Sequence, residues 1–137
     1  LLGDIRFSIN GEALNMSDTW TYKGLMFSGV PNLISTFGYI NASWTLRADL
    51  TAEFLCRIWQ HLKVRGAHTC RPMLRDQDQS MVARPFIDDF SSGYMQRAMD
   101  KMPKQGDRAP WLNTQSYADD KRELRFGNLN DGVLQFL

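Results

Sequence analysis

Tyr22-Lys23-Gly24-Leu25-Met26-Phe27-Ser28-Gly29-Val30-Pro31-Asn32-Leu33-Ile34-Ser35-Thr36-Phe37-Gly38-Tyr39-Ile40-Asn41-Ala42-Ser43-Trp44 is the stretch from which the fold is read. Leu33 to Phe37 is a short apolar run between two turn signals, Gly29-Val30-Pro31-Asn32 before it and Gly38 after it. Such a run reads as a central parallel strand. Gly38 permits close backbone approach, and Asn41 or Ser43 offers a side-chain oxygen to cap a following helix. A strand that ends in a glycine turn at a helix N-terminus presents N–H groups and the positive end of the helix dipole. Physics alone leaves two readings open, a seat for an anion or polarised carbonyl and a plain structural junction.

Downstream, the pattern predicts a helix over about residues 42–62. Leu50, Phe54, Ile58 and Leu62 form one apolar row, which Leu55 and Trp59 widen. A face this broad predicts packing against a sheet and a further element. Asp49, Glu53, Arg57 and His61 form the polar stripe, with Glu53 placed to pair with Arg57 four residues on. Lys63 and Arg65 suit the negative end of the helix, and Gly66 reads as its C-cap. Upstream, Ile5, Phe7 and Ile9 alternate with polar residues, and Asn10-Gly11 predicts a tight hairpin returning through Glu12-Ala13-Leu14. Trp20 to Phe27 is β-compatible, interrupted by Gly24.

The second half is more polar. Ala67 to Ser80 reads as a surface loop. Ser92 caps a predicted short helix that Pro103 stops, with Tyr94, Met95, Ala98, Met99 and Met102 on its buried side. Tyr117 to Phe126 is ambiguous between helix and strand, and Phe126 to Phe136 reads as a terminal strand or extended tail.

With 137 residues, 43% hydrophobic and 23% charged, the chain has the composition of one folded domain with a real core. A formal net charge of +1 gives no field to gather nucleic acid or an anionic membrane. No apolar run approaches the ~20 residues of a membrane span. Leu1-Leu2-Gly3-Asp4 lacks the features of a signal peptide, and the absence of an initial Met reads as the start of a piece cut from a longer protein. Two cysteines, Cys56 and Cys70, lack metal-type spacing with each other or with His61 and His68. Cys56 reads as a small buried hydrophobe, and so sparse a cysteine content points to a reducing, cytoplasmic setting.

Few residues carry chemistry by pattern. There is no G-x-G-x-x-G fingerprint, P-loop, G-x-S-x-G elbow or metal-ligand cluster. Asp88-Asp89 and Asp119-Asp120 are adjacent carboxylates whose side chains point apart, so neither reads as an acid/base pair. Arg71, Arg75 and Arg84, interleaved with Asp76 and Asp78, read as a solvated face rather than a phosphate patch. His61 reads as a helix-end residue and His68 as solvated. The methionines of 95–102 read as core.

The wording of the opening stretch is more specific than its physics. Tyr22 to Asn32, followed by Gly38-Tyr39-Ile40-Asn41-Ala42-Ser43-Trp44-Thr45-Leu46-Arg47-Ala48-Asp49-Leu50, resembles the C-terminal part of flavin-containing monooxygenases. The ethionamide-activating type of Baeyer–Villiger monooxygenase is the nearest group. Arg84-Pro85-Phe86 resembles its arginine-proline-aromatic step, and Pro103-Lys104-Gln105-Gly106-Asp107-Arg108-Ala109-Pro110-Trp111, with Gln115 and Tyr117, resembles its tail signature. The resemblance runs from about Trp20 to Phe136. Leu112 and Asn113 depart from the usual basic-then-apolar pair. The family's FAD fingerprint, NADPH-binding domain, signature motif and catalytic arginine are not found in this sequence.

The resemblance implies an α/β fold, α+β in isolation: part of a flavoprotein with two dinucleotide-binding domains, as a small partial sheet, one long helix and an irregular tail. Residues 1–66 would be the return into the FAD-binding domain, and 67–137 a tail packing on it. Gly38, Tyr39, Asn41, Ala42 and Ser43 would lie nearest the flavin pyrimidine, and no catalytic residue is assigned. The implied reaction uses FAD, NADPH and O2 to insert one oxygen atom into a ketone or to oxidise a heteroatom. Alone, the chain would neither hold FAD tightly nor turn over. Two other readings stay open: a stand-alone α+β interaction module, and part of a different oxidoreductase with two dinucleotide domains.

Overall fold

In the computed structural model, which describes residues 4–88 and 92–137, three helices and three two-stranded antiparallel sheets pack around a main core and two smaller apolar clusters. Asp89 of the first adjacent carboxylate pair, and residues 1–3 of the chain start, lie outside the described residues. The first hairpin joins β1 (Phe7–Ile9) to β2 (Glu12–Leu14), with Phe7 opposite Leu14 and Ile9 opposite Glu12. Its turn residues Asn10 and Gly11 have φ of 53° and 85°, the positive values that a two-residue hairpin turn requires. Phe7, Ile9 and Leu14 cover Met16, Phe27 and Val30, while Ile5 stays outside, exposed.

A second tight hairpin pairs β3 (Thr21–Tyr22) with β4 (Met26–Phe27) around Lys23 and Gly24, again at positive φ. The chain then departs from expectation. Leu33 to Phe37 has no regular secondary structure and joins no ladder; its described backbone link is from the Ser35 N–H to the Leu25 carbonyl at 2.8 Å. A central parallel strand needs a neighbour on each side, and the described residues supply none there. Phe37 instead buries its ring edge-on against Phe86, with centroids 5.5 Å apart.

Helix α1 spans Trp44–Arg65. It starts two residues later than predicted, because Ser43 is its N-cap and accepts the Thr45 N–H. It also runs three residues further, to Gly66 at φ 61°, where the N–H groups of Gly66 and Ala67 bond to the carbonyls of Lys63 and Leu62. That closing pattern satisfies the last carbonyls and needs a left-handed residue. Leu50, Phe54 and Ile58 are buried on the inner face, but Leu55 and Trp59 are exposed, so the apolar stripe is wider than the surface it covers. Cys56 is also exposed, because it lies off the buried row, and both cysteines are free. Glu53 does not pair with Arg57. It takes a two-pronged contact from Arg125 at 2.7 and 2.8 Å, while Arg57 donates to the carbonyls of Leu124 and Gly127.

The segment read as a surface loop contains β5 (Cys70–Pro72). It pairs with the terminal β6 (Leu134–Phe136), Cys70 opposite Phe136 and Pro72 opposite Leu134. Asp78 in the same segment is buried and held by Arg75 through both carboxylate oxygens at 2.8 and 2.9 Å. A six-residue α2 (Gly93–Ala98) runs into a short 3-10 turn at Met99–Lys101. Met95 and Met102 join Phe37, Phe86 and Ile87 in a side core, whereas Tyr94 faces solvent on the other side of so short a helix. Tyr117–Phe126 resolves as a helix, α3, capped by the Ser116 hydroxyl on the Asp119 N–H. Helix α3 lies on α1. The main core joins Leu50, Phe54 and Ile58 of α1 to Tyr22, Met26, Cys70, Trp111, Leu124 and Val133.

Candidate functional site

The junction at residues 38–43 is built by the C-terminal half of the chain. Gly38 and Tyr39 are buried, and Asn41, Ala42 and Ser43 are exposed at the open end of α1. A Cβ on Gly38 would stand 2.2 Å from the Trp44 indole, so what approaches Gly38 closely is the first side chain of the helix. Ser43 spends its side-chain oxygen on Thr45. Among the described residues, no acceptor is bonded to the backbone N–H groups of Asn41, Ala42 or Ser43, and no acidic side chain occupies the first turn of α1. Inside the helix the Thr45 and Leu46 N–H groups bond Ser43, so the N–H groups open at this end are those leading into it, at Asn41 to Ser43.

Behind this end lies a buried polar cluster. The Tyr39 hydroxyl donates to Asp120 Oδ2 at 2.6 Å. Arg47 Nη1 stands 2.5 Å from the same oxygen, with 2% and 7% of the two side chains exposed. The Thr114 hydroxyl donates to the other carboxylate oxygen, Oδ1, at 2.8 Å. Arg47 Nη2 also donates to the Lys23 carbonyl. Gly24 makes room for this reach, since a Cβ there would lie 2.9 Å from Nη2 and 2.8 Å from Asn113 Oδ1. Burial and the bond to Asp120 push the Tyr39 phenol well above its ordinary range, so it stays a proton donor.

A second contact clamps the junction backbone. Gln115 Oε1 accepts the Ile40 N–H at 2.9 Å, and its Nε2 donates to the Gly38 carbonyl at 3.3 Å. Nε2 also bonds Asn113 Oδ1, and Asn113 Nδ2 donates to the Phe86 carbonyl at 3.0 Å. The buried Gln105 accepts the Asn113 N–H and donates to the Pro85 carbonyl. Arg84-Pro85-Phe86, Gln105 and Gln115, far apart in sequence, thus converge on one network that ends at residues 38–40. Asn113, a departure from the usual wording, is a working member of it. Tyr117 adds an edge-on ring contact to Tyr39 at 6.2 Å.

The other candidates have local roles. Asp119 and Asp120 do point apart: Asp119 is exposed beside Arg122, and Asp120 is buried. Arg71, Arg75 and Arg84 each face their own partner, Gln135, Asp78 and Asp88, and form no shared patch. His61 lies against the Phe136 ring at 4.5 Å, and His68 is exposed. Burial pushes the Cys70 thiol up to about 12, so it offers no nucleophilic thiolate. Among the described residues, no cluster of His, Cys, Asp or Glu could hold a metal ion, and no helix is long and apolar enough to cross a membrane. An apolar cavity of about 360 Å³ opens between α1 and the segment at residues 32–34, lined by Leu33, Ile34, Leu55, Trp59 and Leu62 among others. Sequence reasoning missed Arg47 and Asp120. The available signal was an arginine one turn ahead of Leu50 on the apolar row, where a charge demands a buried partner.

Comparison with known proteins agrees with the wording of the junction. The chain is 44% identical over 136 residues to the FAD-containing monooxygenase EthA of Mycolicibacterium smegmatis. It is 43% identical to an FAD-binding monooxygenase, AlmA, of Acinetobacter, and 35% identical to an FAD-containing monooxygenase, MymA, of Mycobacterium tuberculosis. Each match takes in 99% of this chain and 27% of the relative, so the chain spans about a quarter of the length of the curated relatives it matches. No family model and no solved structure matches. The chain is homologous, over almost its whole length, to part of the FAD-containing monooxygenases.

Proposed function

We propose that this chain is the C-terminal segment of an FAD- and NADPH-dependent monooxygenase, and that the open end of α1 supports the flavin. The observation that carries the reading is identity of 35–44% over nearly the whole chain to proteins named for FAD and monooxygenation. The local structure fits it. The N–H groups of Asn41 to Ser43 have no acceptor among the described residues, and the first turn carries no competing carboxylate. A helix end of this kind stabilises a facing negative charge by about 0.3–1 kcal/mol when exposed and up to ~2 when partly buried. Bound FAD would supply the redox chemistry with O2, and NADPH the electrons.

This chain's residues would orient and polarise. Asn41, Ala42 and Ser43 would direct N–H dipoles at the pyrimidine edge, where reduced flavin carries negative charge. Gly38 and Tyr39, turned inward, would fix that backbone rather than touch the cofactor. The substrate would be a ketone that accepts one oxygen atom, or a heteroatom that is oxidised. Residues 1–66 would return into the FAD-binding domain, residues 67–137 would brace it, and the whole would work in the cytoplasm.

The apolar cavity beside Leu55 and Trp59 supports a place within a larger protein over a stand-alone interaction module, because it leaves large apolar side chains uncovered. The test is made on the full-length protein that carries this chain. It should retain FAD on purification, oxidise NADPH, consume O2 and transfer oxygen to a ketone or sulfide. Bound FAD with no oxygen transfer would point to another oxidoreductase with two dinucleotide domains. A protein that holds no flavin would defeat the proposal.

A further inference from the structure

We infer that Gln115 is a positioning residue: it latches the backbone of residues 38–40 and so sets the direction in which the N–H groups of 41–43 face. One amide side chain takes both hydrogen-bonding groups that the junction turns toward it, the Gly38 carbonyl and the Ile40 N–H. This is how a neighbouring strand would bind the same stretch. The latch therefore holds the residues between the end of the expected strand and the start of α1.

Gln115 has φ of 52°, a left-handed conformation that costs a side-chain-bearing residue and suits glycine. A residue serving the turn alone would be better as glycine. Glutamine at this position is explained by what its side chain holds. Asn113 Oδ1 completes the geometry by accepting from Nε2, which fixes the amide so that oxygen faces Ile40 and nitrogen faces Gly38. Asn113 is in turn anchored on the Phe86 carbonyl. The latch thus transmits the position of residues 86–115 to the start of α1. Its consequence for a flavin rests on the function proposed above.

The decisive variant is Gln115→Gly, which removes the side chain while easing the backbone. Amide hydrogen exchange of the full-length protein should show the Ile40 amide, whose acceptor is Gln115 Oε1, exchanging about tenfold faster, the effect of losing a bond of ordinary strength. The amides of α3 should be unchanged. Gln115→Glu keeps the acceptor for Ile40 but sets an oxygen against the Gly38 carbonyl and Asn113 Oδ1, and should loosen the junction as well. Wild-type exchange at Ile40 in Gln115→Gly would overturn the latch. Uniform acceleration through α1 and α3 would also overturn it, since that is general destabilisation. A separate arm measures the flavin midpoint potential in the full-length protein with the same substitution. A potential more negative than wild type, from weaker support of reduced flavin, extends the latch to the cofactor. Faster exchange with an unchanged potential leaves the latch standing and counts against the flavin reading alone.

Discussion

Arg47 and Asp120 form a buried ion pair, Nη1 to Oδ2 at 2.5 Å, which ties the first turn of α1 to the first turn of α3. Each charge was taken from water at a cost of several kcal/mol, which the close pairing and the bonds to neighbouring polar groups offset. Asp120 also accepts from Tyr39 and Thr114, and Arg47 reaches the Lys23 carbonyl. The pair sits directly behind the exposed end of α1, so its integrity fixes the angle at which that end is presented.

Removing one charge should therefore cost more than removing both. Asp120→Asn keeps a polar group for Tyr39 and Thr114 but leaves the guanidinium of Arg47 buried and uncompensated. Destabilisation of about 3–5 kcal/mol is expected by denaturant unfolding. The double variant Arg47→Met with Asp120→Leu should recover much of that loss. A cost under ~1 kcal/mol for Asp120→Asn would mean that the pair is solvated.

The two aromatic residues of α1 make a contrasting pair. Phe54 is wholly buried beside Tyr22, and Trp59 is 61% exposed. Phe54→Ala should destabilise by about 3–5 kcal/mol through lost burial and a cavity. Trp59→Ser should stay within about 0.5 kcal/mol of wild type in this chain, as surface changes do. Equal costs would show that Trp59 is packed and that the groove beside it is closed.

Local features were legible in the sequence, and distant partnerships were not. Asn10-Gly11 announced the first hairpin and Gly66 the end of α1, because each acts through its own backbone preferences, whereas the helix expected to run to Pro103 ends at Ala98 and passes into a 3-10 turn. Tyr39 and Asp120 are 81 residues apart, and no periodicity links them. The supposed strand at Leu33–Phe37 had the right composition, but a strand is completed by neighbours, and among the described residues no strand pairs with it. Ser116 followed by Asp119 was a readable start for α3 that the mixed polarity of 117–126 obscured. The N-terminal end of α1 was marked by its residues, whereas the network that braces it from behind emerged only from the fold.

Asp78 predicts a pH dependence. The Arg75 guanidinium holds its carboxyl at about 2, below the ordinary value of 3.8. A depressed carboxylate stabilises the fold above its unfolded pKa, and that contribution disappears as pH falls through the folded one. Stability should therefore decline between about pH 4 and pH 2, and Asp78→Asn should flatten the slope in that window. Parallel slopes for the two proteins would show that other carboxylates govern acid unfolding.

The last prediction concerns the chain by itself. The end of α1 offers N–H groups on one side only, and Gly38 and Tyr39 face inward. A flavin placed there would be held by one surface, with nothing covering its other face and nothing binding its pyrophosphate. Binding energy of about 8 kcal/mol, which micromolar affinity requires, cannot come from a helix end worth ~2 at most. Titration of the 137-residue chain with FAD, followed by flavin fluorescence, should thus show no saturation in the low micromolar range. Submicromolar binding would mean that the chain carries a complete flavin site, and the proposed dependence on a further FAD-binding region would fall.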